Sequence, residues 1–233
     1  MPYSIDFQHQ PNAVLSRLLA QNTQWAADVN VAEPSFFEES ARGQAPKVLW
    51  IGCADSRVPE SVVLATRPGD IFVHRNIANQ VHPDDINVLS VLQYAVDAVG
   101  VEHVIVAGHT QCGGAAACRA AAGNNLSSPA PDTPLGQWLE PLTSLAGSLT
   151  SDKEGAGKAN GNGEEEDPLM QLVEENVKAQ VRNVVNTKTM QGAWAKGKNV
   201  QVHGWVYHLE NGRVRDLGVT WGKEKMALLE LGI

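Results

Sequence analysis

Residues 47–53 read Lys-Val-Leu-Trp-Ile-Gly-Cys, a short apolar run that ends in small residues. A run of this kind predicts a strand buried on both faces. Two more follow, Asp70–Arg75 (DIFVHR) and His103–Gly108 (HVIVAG). Between them Val88, Leu89, Leu92, Tyr94, Ala95 and Val99 keep a helical rhythm, which predicts a helix over 85–99. Strands with two apolar sides alternating with helices predict an α/β fold with a mostly parallel sheet.

Working outward, Val14, Leu15, Leu18, Leu19, Trp25 and Val29 predict an amphipathic helix over 12–31. Toward the other end, Leu172, Val173, Val177, Val181 and Val184 share one face of a long helix over 168–192. Val200–Leu209 and Arg213–Thr220, joined by Glu210-Asn211-Gly212, predict a hairpin that extends the sheet. A last short helix is expected over 223–231. Residues 150–167 (TSDKEGAGKANGNGEEED) are acidic, rich in glycine and free of large apolar side chains, so a flexible insertion loop is expected there. Residues 123–134 also read as a loop.

The 233 residues can bury the core of one domain, with residues 1–35 as a helical arm. A net charge of −8 argues against nucleic acid as a partner, because phosphate binding needs a basic surface. The three cysteines, Cys53, Cys112 and Cys118, are too few and too odd in number for a disulfide framework, and they fit a reducing compartment. Residues 1–19 lack the charged and apolar regions of a secretory signal. No apolar run approaches the roughly 20 residues needed to span a bilayer. A soluble, cytoplasmic protein without a membrane partner is expected.

The chemistry sits just past two strands. Cys53 ends KVLWIGC, and His109 and Cys112 follow HVIVAG as His-Thr-Gln-Cys. In a parallel sheet, ligands gather beyond the carboxyl ends of strands where the strand order switches. Adjacent strand ends would bring thiolate, imidazole and thiolate together. Zn²⁺ takes that donor set, and three protein ligands leave a fourth position open, as in catalytic zinc sites. Taken singly, each cysteine is equally a small buried hydrophobe and the histidine a satisfied polar group.

The segments around these residues change that balance. Cys53 opens Cys-Ala-Asp-Ser-Arg, and His109 opens His-Thr-Gln-Cys-Gly-Gly. Both resemble the signature segments of β-class carbonic anhydrases, in matching order and separation. The resemblance continues through Phe-Val-His-Arg-Asn-Ile-Ala-Asn at 72–79, the Leu89–Gly100 helix and His-Gly-Trp-Val-Tyr at 203–207. It spans roughly 44–220, interrupted at 150–167. It implies four parallel strands flanked by helices, an N-terminal helix that reaches across a partner subunit, and a homodimer or tetramer. It also implies one zinc per chain on Cys53, His109 and Cys112, and reversible hydration of carbon dioxide to bicarbonate.

By the same resemblance, Asp55 and Arg57 form a catalytic dyad, in which the carboxylate orients the reacting water and the guanidinium orients the carboxylate. The plainer alternative is a surface ion pair worth about 0–1 kcal/mol. The same carboxylate could instead occupy the metal's fourth position. Gly113 and Gly114 are expected to start a helix whose N–H groups favour a developing anion, or merely to permit close packing. Gln44, Phe72 and Tyr94 would line the substrate pocket; Phe72 and Tyr94 also suit a core. Trp50, Arg75 and Tyr207 match a regulatory bicarbonate pocket found in one subgroup; the alternative is two core aromatics and an interface salt bridge. Cys118 reads as a structural thiol.

Two other functions are compatible with such a site. One is hydrolysis of carbon disulfide or carbonyl sulfide, known on closely similar folds. The other is a module that binds bicarbonate or zinc without catalysis, which the presence of both Asp55 and Arg57 disfavours.

Overall fold

The computed structural model describes residues 13–123, 130–151 and 167–225. The chain divides into two compact units, Met1–Gln44 and Ala45–Ile233. The first holds α1 (Ala13–Ala32) and α2 (Phe36–Arg42). Trp25 meets Phe37 edge-on, with ring centroids 5.7 Å apart. No residue of α1 is buried.

The second unit is built on a five-stranded sheet in the order β2-β1-β3-β4-β5. Its strands are β1 (Val48–Cys53), β2 (Ile71–Asn76), β3 (His103–His109), β4 (Gln201–His208) and β5 (Arg213–Trp221). The first four run parallel, and β5 closes the sheet antiparallel to β4. The chain leaves β1 for β2 on one side and returns to β3 on the other. The strand order therefore switches between β1 and β3, and in sheets of this kind ligands bind beyond the carboxyl ends at such a switch. Cys53 and His109 are the last residues of those two strands.

Helices cover mainly one face. They include α3 (Glu60–Val63), α4 (Ile86–Gln93) with a wider turn continuing over Tyr94–Val99, and α5 (Gly113–Ala122). After these come α6 (Pro134–Ser151), α7 (Pro168–Val185) and α8 (Lys188–Ala195). Leu49, Ile51, Val104, Val106, Val202 and Val206 meet Val173, Val177 and Val181 of α7 in the main core. The other face carries a smaller cluster of Trp50, Ile105 and Ala107, flanked by Trp205. Two glycines let α7 approach the sheet. A Cβ on Gly108 would stand 2.7 Å from Val177 Cγ2, and one on Gly204 3.0 Å from Val177 Cγ1.

The α/β class, the parallel sheet and the hairpin agree with the sequence reading. The single helix expected over 168–192 is two, because the Thr187 hydroxyl accepts from Met190 N at 3.3 Å and caps a new start. Helix α6 has no counterpart in that reading. Gly136, Pro141 and Gly147 interrupt its pattern, yet Leu139, Leu142 and Ala146 are buried at helical spacing. Residues 152–166 of the expected loop, and the expected helix beyond residue 225, lie outside the described residues. Asp167 caps the start of α7. Among the described residues, no helix is long and apolar enough to cross a membrane.

Candidate metal centre

Beyond the β1 and β3 ends, one ligand atom each from Cys53, His109 and Cys112 lies within 4.8 Å of the others, and all three residues are buried. His109 Nδ1 lies 2.8 Å from the Thr110 carbonyl, which can only accept, so that nitrogen carries the proton. Its Nε2 is buried and makes no hydrogen bond. A bare imidazole lone pair beside two sulfurs is a poor arrangement in a protein interior unless a cation completes it. The donor set therefore fits a zinc-type ion.

The same groups share protons. The Cys112 thiol donates to Cys53 and, against the effect of burial, draws Cys53 down to about 4; His109 and the N–H groups of Asp55 and Ala78 assist. Cys112 is pushed up, because its proton is committed to Cys53 and the group is buried. Burial opposes a charge on His109, but the Cys53 sulfur, the Thr110 carbonyl and Asp55 together raise its affinity for a proton.

Two loops carry the ligands and are tied together. Asp55 Oδ1 accepts from Arg57 N and Nε, both at 2.9 Å, and Oδ2 accepts from Arg57 Nη2 at 2.7 Å. That guanidinium holds the Asp55 carboxyl well below the usual carboxylate range. Arg57 Nη2 also donates to the Gln111 carbonyl at 3.2 Å, joining the Cys53 loop to the His109 loop. Asp55 Oδ2 lies 3.9 Å from His109 Nε2, but the carboxylate is not a further corner of the Cys–His–Cys cluster.

Of the supports around these loops, the sequence marks Arg75, though for another role, and gives no signal for Thr110 or Glu210. Arg75 Nε donates to the Cys53 carbonyl at 2.8 Å and its Nη2 to the Asp55 carbonyl, so Arg75 props the first loop. The Thr110 hydroxyl donates to Glu210 Oε2 at 2.8 Å and accepts from Leu209 N at 2.9 Å, which fastens the second loop to the hairpin. Gln111 takes left-handed backbone, φ 54°.

The remaining site residues fall as follows. Gly113 and Gly114 do start α5, and the N–H groups of Gly114 and Ala115 face the Cys112 sulfur. Phe72 and Tyr94 stack with centroids 5.9 Å apart; Phe72 packs against the main core and Tyr94 is exposed. Gln44 is the last residue of the helical unit. Trp50 is buried in the smaller cluster, edge-on to Trp205. Tyr207 packs against the main core. Cys118 is buried in the main core, as a structural thiol would be.

The family model for carbonic anhydrase matches residues 48–214. The chain belongs to the β-carbonic anhydrase family. A carbonic anhydrase of Emericella nidulans is 34% identical over 205 residues, covering 88% of this chain and 84% of the relative. A tetrameric β-carbonic anhydrase of Sordaria macrospora superposes with a TM-score of 0.77 at 36% identity, over 89% of this chain and 98% of that one. A Coccomyxa β-carbonic anhydrase, solved with acetazolamide, gives 0.78 at 34% identity, over 92% and 91%. This chain is accordingly an enzyme of the carbonic anhydrase type, whose general activity is hydration of carbon dioxide.

Proposed function

We propose that Cys53, His109 and Cys112 hold one zinc ion per chain and that carbon dioxide and bicarbonate are interconverted beside it. One observation carries this reading: three buried ligand atoms converge within 4.8 Å, with His109 Nε2 unpaired among them. Two thiolates and an imidazole suit zinc, and they leave a fourth position open. Bound there, zinc supplies the Lewis acid that makes water a nucleophile near neutral pH.

The chain's own residues orient the reaction. Asp55 stays ionised because Arg57 holds it, and the lone pair that Oδ2 keeps beside its bond to Arg57 would accept a hydrogen bond from the attacking water. That bond selects which lone pair of the water faces the substrate carbon. Phe72 and Tyr94, stacked on one another, supply the pocket wall, and Gly113 offers its N–H to the product anion. The bonds already made by Arg75 and the burial of Trp50 support structural roles for both, rather than a second bicarbonate pocket.

The exposed apolar face of α1 supports assembly as a homodimer or tetramer, with residues 1–35 as the arm. The three free thiols support a cytoplasmic location. The test is stopped-flow hydration of carbon dioxide by purified chain with its metal counted. One zinc per chain is expected, with activity lost on chelation and restored by zinc. A zinc-loaded chain that leaves carbon dioxide untouched, or prefers carbonyl sulfide or carbon disulfide, overturns the proposal.

A further inference from the structure

The turn after β2 lies against the metal centre and is clamped there by buried amide side chains. Ala78 and Asn79 both adopt left-handed backbone, with φ 60° and 48°. Residues other than glycine keep such angles only where their surroundings enforce them. Asn76 closes the turn: its Oδ1 accepts from Gln80 N at 2.7 Å and its Nδ2 donates to the Gln80 carbonyl at 2.8 Å. Ala78 is fully buried in the same core as Cys53 and Cys112, and its N–H is one of the groups that favour charge on the Cys53 sulfur. Gly114 makes room for it, since a Cβ there would stand 3.1 Å from Ala78 Cβ.

The Ala78 carbonyl accepts two side-chain amides, Gln80 Nε2 at 2.7 Å and Asn176 Nδ2 at 3.0 Å. Asn176 Oδ1 accepts from Gln80 Nε2 at 2.8 Å and from Gln180 Nε2 at 3.0 Å. Gln180 Oε1 accepts from Val81 N at 2.8 Å. Gln80, Asn176 and Gln180 are 0%, 3% and 5% exposed, so solvent scarcely reaches these bonds. A contact needed only for packing would be cheaper as apolar side chains, because buried amides must all be satisfied. What amides add is direction. Clamping the carbonyl fixes the left-handed Ala78, and the aim of its N–H follows.

We infer that Gln80, Asn176 and Gln180 are positioning residues of the metal centre, aiming the Ala78 N–H at the Cys53 sulfur. The inference rests on Cys53 being a metal ligand. A hydrogen bond to a ligating sulfur draws electron density from it, so the sulfur donates less and the metal stays a better Lewis acid. Two thiolates already cancel the formal charge of a divalent ion, so this correction counts here.

The test uses full-length chain loaded with Co²⁺, whose thiolate charge-transfer band reports the sulfur directly. Asn176→Ala should shift that band and weaken metal affinity about 10–100-fold in competition with a chelator, because the Cys53 thiolate loses its fixed surroundings and holds its proton more tightly against the metal. Should Asn176→Ala not fold, Asn176→Asp keeps the Oδ1 acceptor, removes the Nδ2 donor and is read the same way. Asn183→Ala is the comparison. It cuts only the outer end, where Asn183 Nδ2 bonds the Val81 carbonyl at 2.9 Å and Gln180 Oε1 at 3.1 Å. It should lower stability and leave the band in place. An unmoved band and affinity in a folded Asn176 variant, or an equal shift in Asn183→Ala, overturns the inference. Absence of the band in the unmodified chain instead removes Cys53 and Cys112 as ligands.

Discussion

Arg57 grips both oxygens of Asp55, with Nε on Oδ1 at 2.9 Å and Nη2 on Oδ2 at 2.7 Å, while the same Nη2 reaches the Gln111 carbonyl. Arg57 is about half exposed and Asp55 largely covered, so the pair is no ordinary surface bridge. One planar group sets the carboxylate plane and the spacing between the two ligand-bearing loops.

Arg57→Lys should therefore be damaging although it keeps the charge. A lysine ammonium is a point charge and cannot reproduce two parallel bonds to a carboxylate together with a third to a carbonyl. Hydration rate should fall at least tenfold, in the range usual for groups that orient a ligand. Metal content should stay the same, because no ligand is removed. Stopped-flow hydration with metal analysis checks both, and unchanged turnover would leave Asp55 and Arg57 as a structural tie.

What could be read from the sequence divides along physical lines. Strands β1 and β3 were legible because they are covered on both faces and so unbroken by polar residues, and the ligands sit where those runs stop. The break at Thr187 was not, because one hydroxyl capping a helix leaves the apolar rhythm of 168–192 unchanged. Helix α6 was hidden by Gly136, Pro141 and Gly147, whose local cost is met by burying Leu139, Leu142 and Ala146. The pairing of Gln80 with Asn176 spans 96 residues, and no local pattern marks it.

Gly108 gives a stability prediction that does not depend on the metal. It precedes His109 on β3, and a Cβ there would stand 2.7 Å from Val177 Cγ2 and 3.2 Å from Val173 Cγ1. Gly108→Ala should force α7 off the sheet at a cost of about 1–3 kcal/mol. Urea unfolding measures the loss. An unchanged midpoint would mean that α7 yields freely and that the close approach is not needed.

Deleting residues 1–32 tests the arm. Val14, Leu15, Leu18 and Leu19 are 62%, 60%, 52% and 70% exposed, an apolar stripe that isolated chains rarely leave uncovered. The α/β unit should fold without α1, while the assembly falls apart to smaller species at micromolar concentration. Sedimentation of the full and shortened chains decides it. Identical assembly in both would place the interface elsewhere.

Acid sensitivity follows from His203 on β4. Its Nε2 lies 3.1 Å from His103 Nδ1, and its Nδ1 lies 3.0 Å from Thr220 Oγ1. Burial lowers its affinity for a proton and the neighbouring His103 lowers it further, with Asp216 opposing in part. The unfolded chain takes up this proton near pH 6.5, whereas the folded chain resists until lower pH. Below about pH 6.5 the unfolded state therefore binds more protons, and stability drains away as pH falls through the folded value. Above that window the group makes no further difference. His203→Gln removes the titration while keeping a polar side chain beside Thr220. Its urea midpoint should decline less steeply between pH 7 and 5 than that of the unmodified chain. Metal loss in acid acts on both chains alike, so the difference in slope isolates His203. Parallel slopes would show that the folded chain takes a proton on His203 without cost.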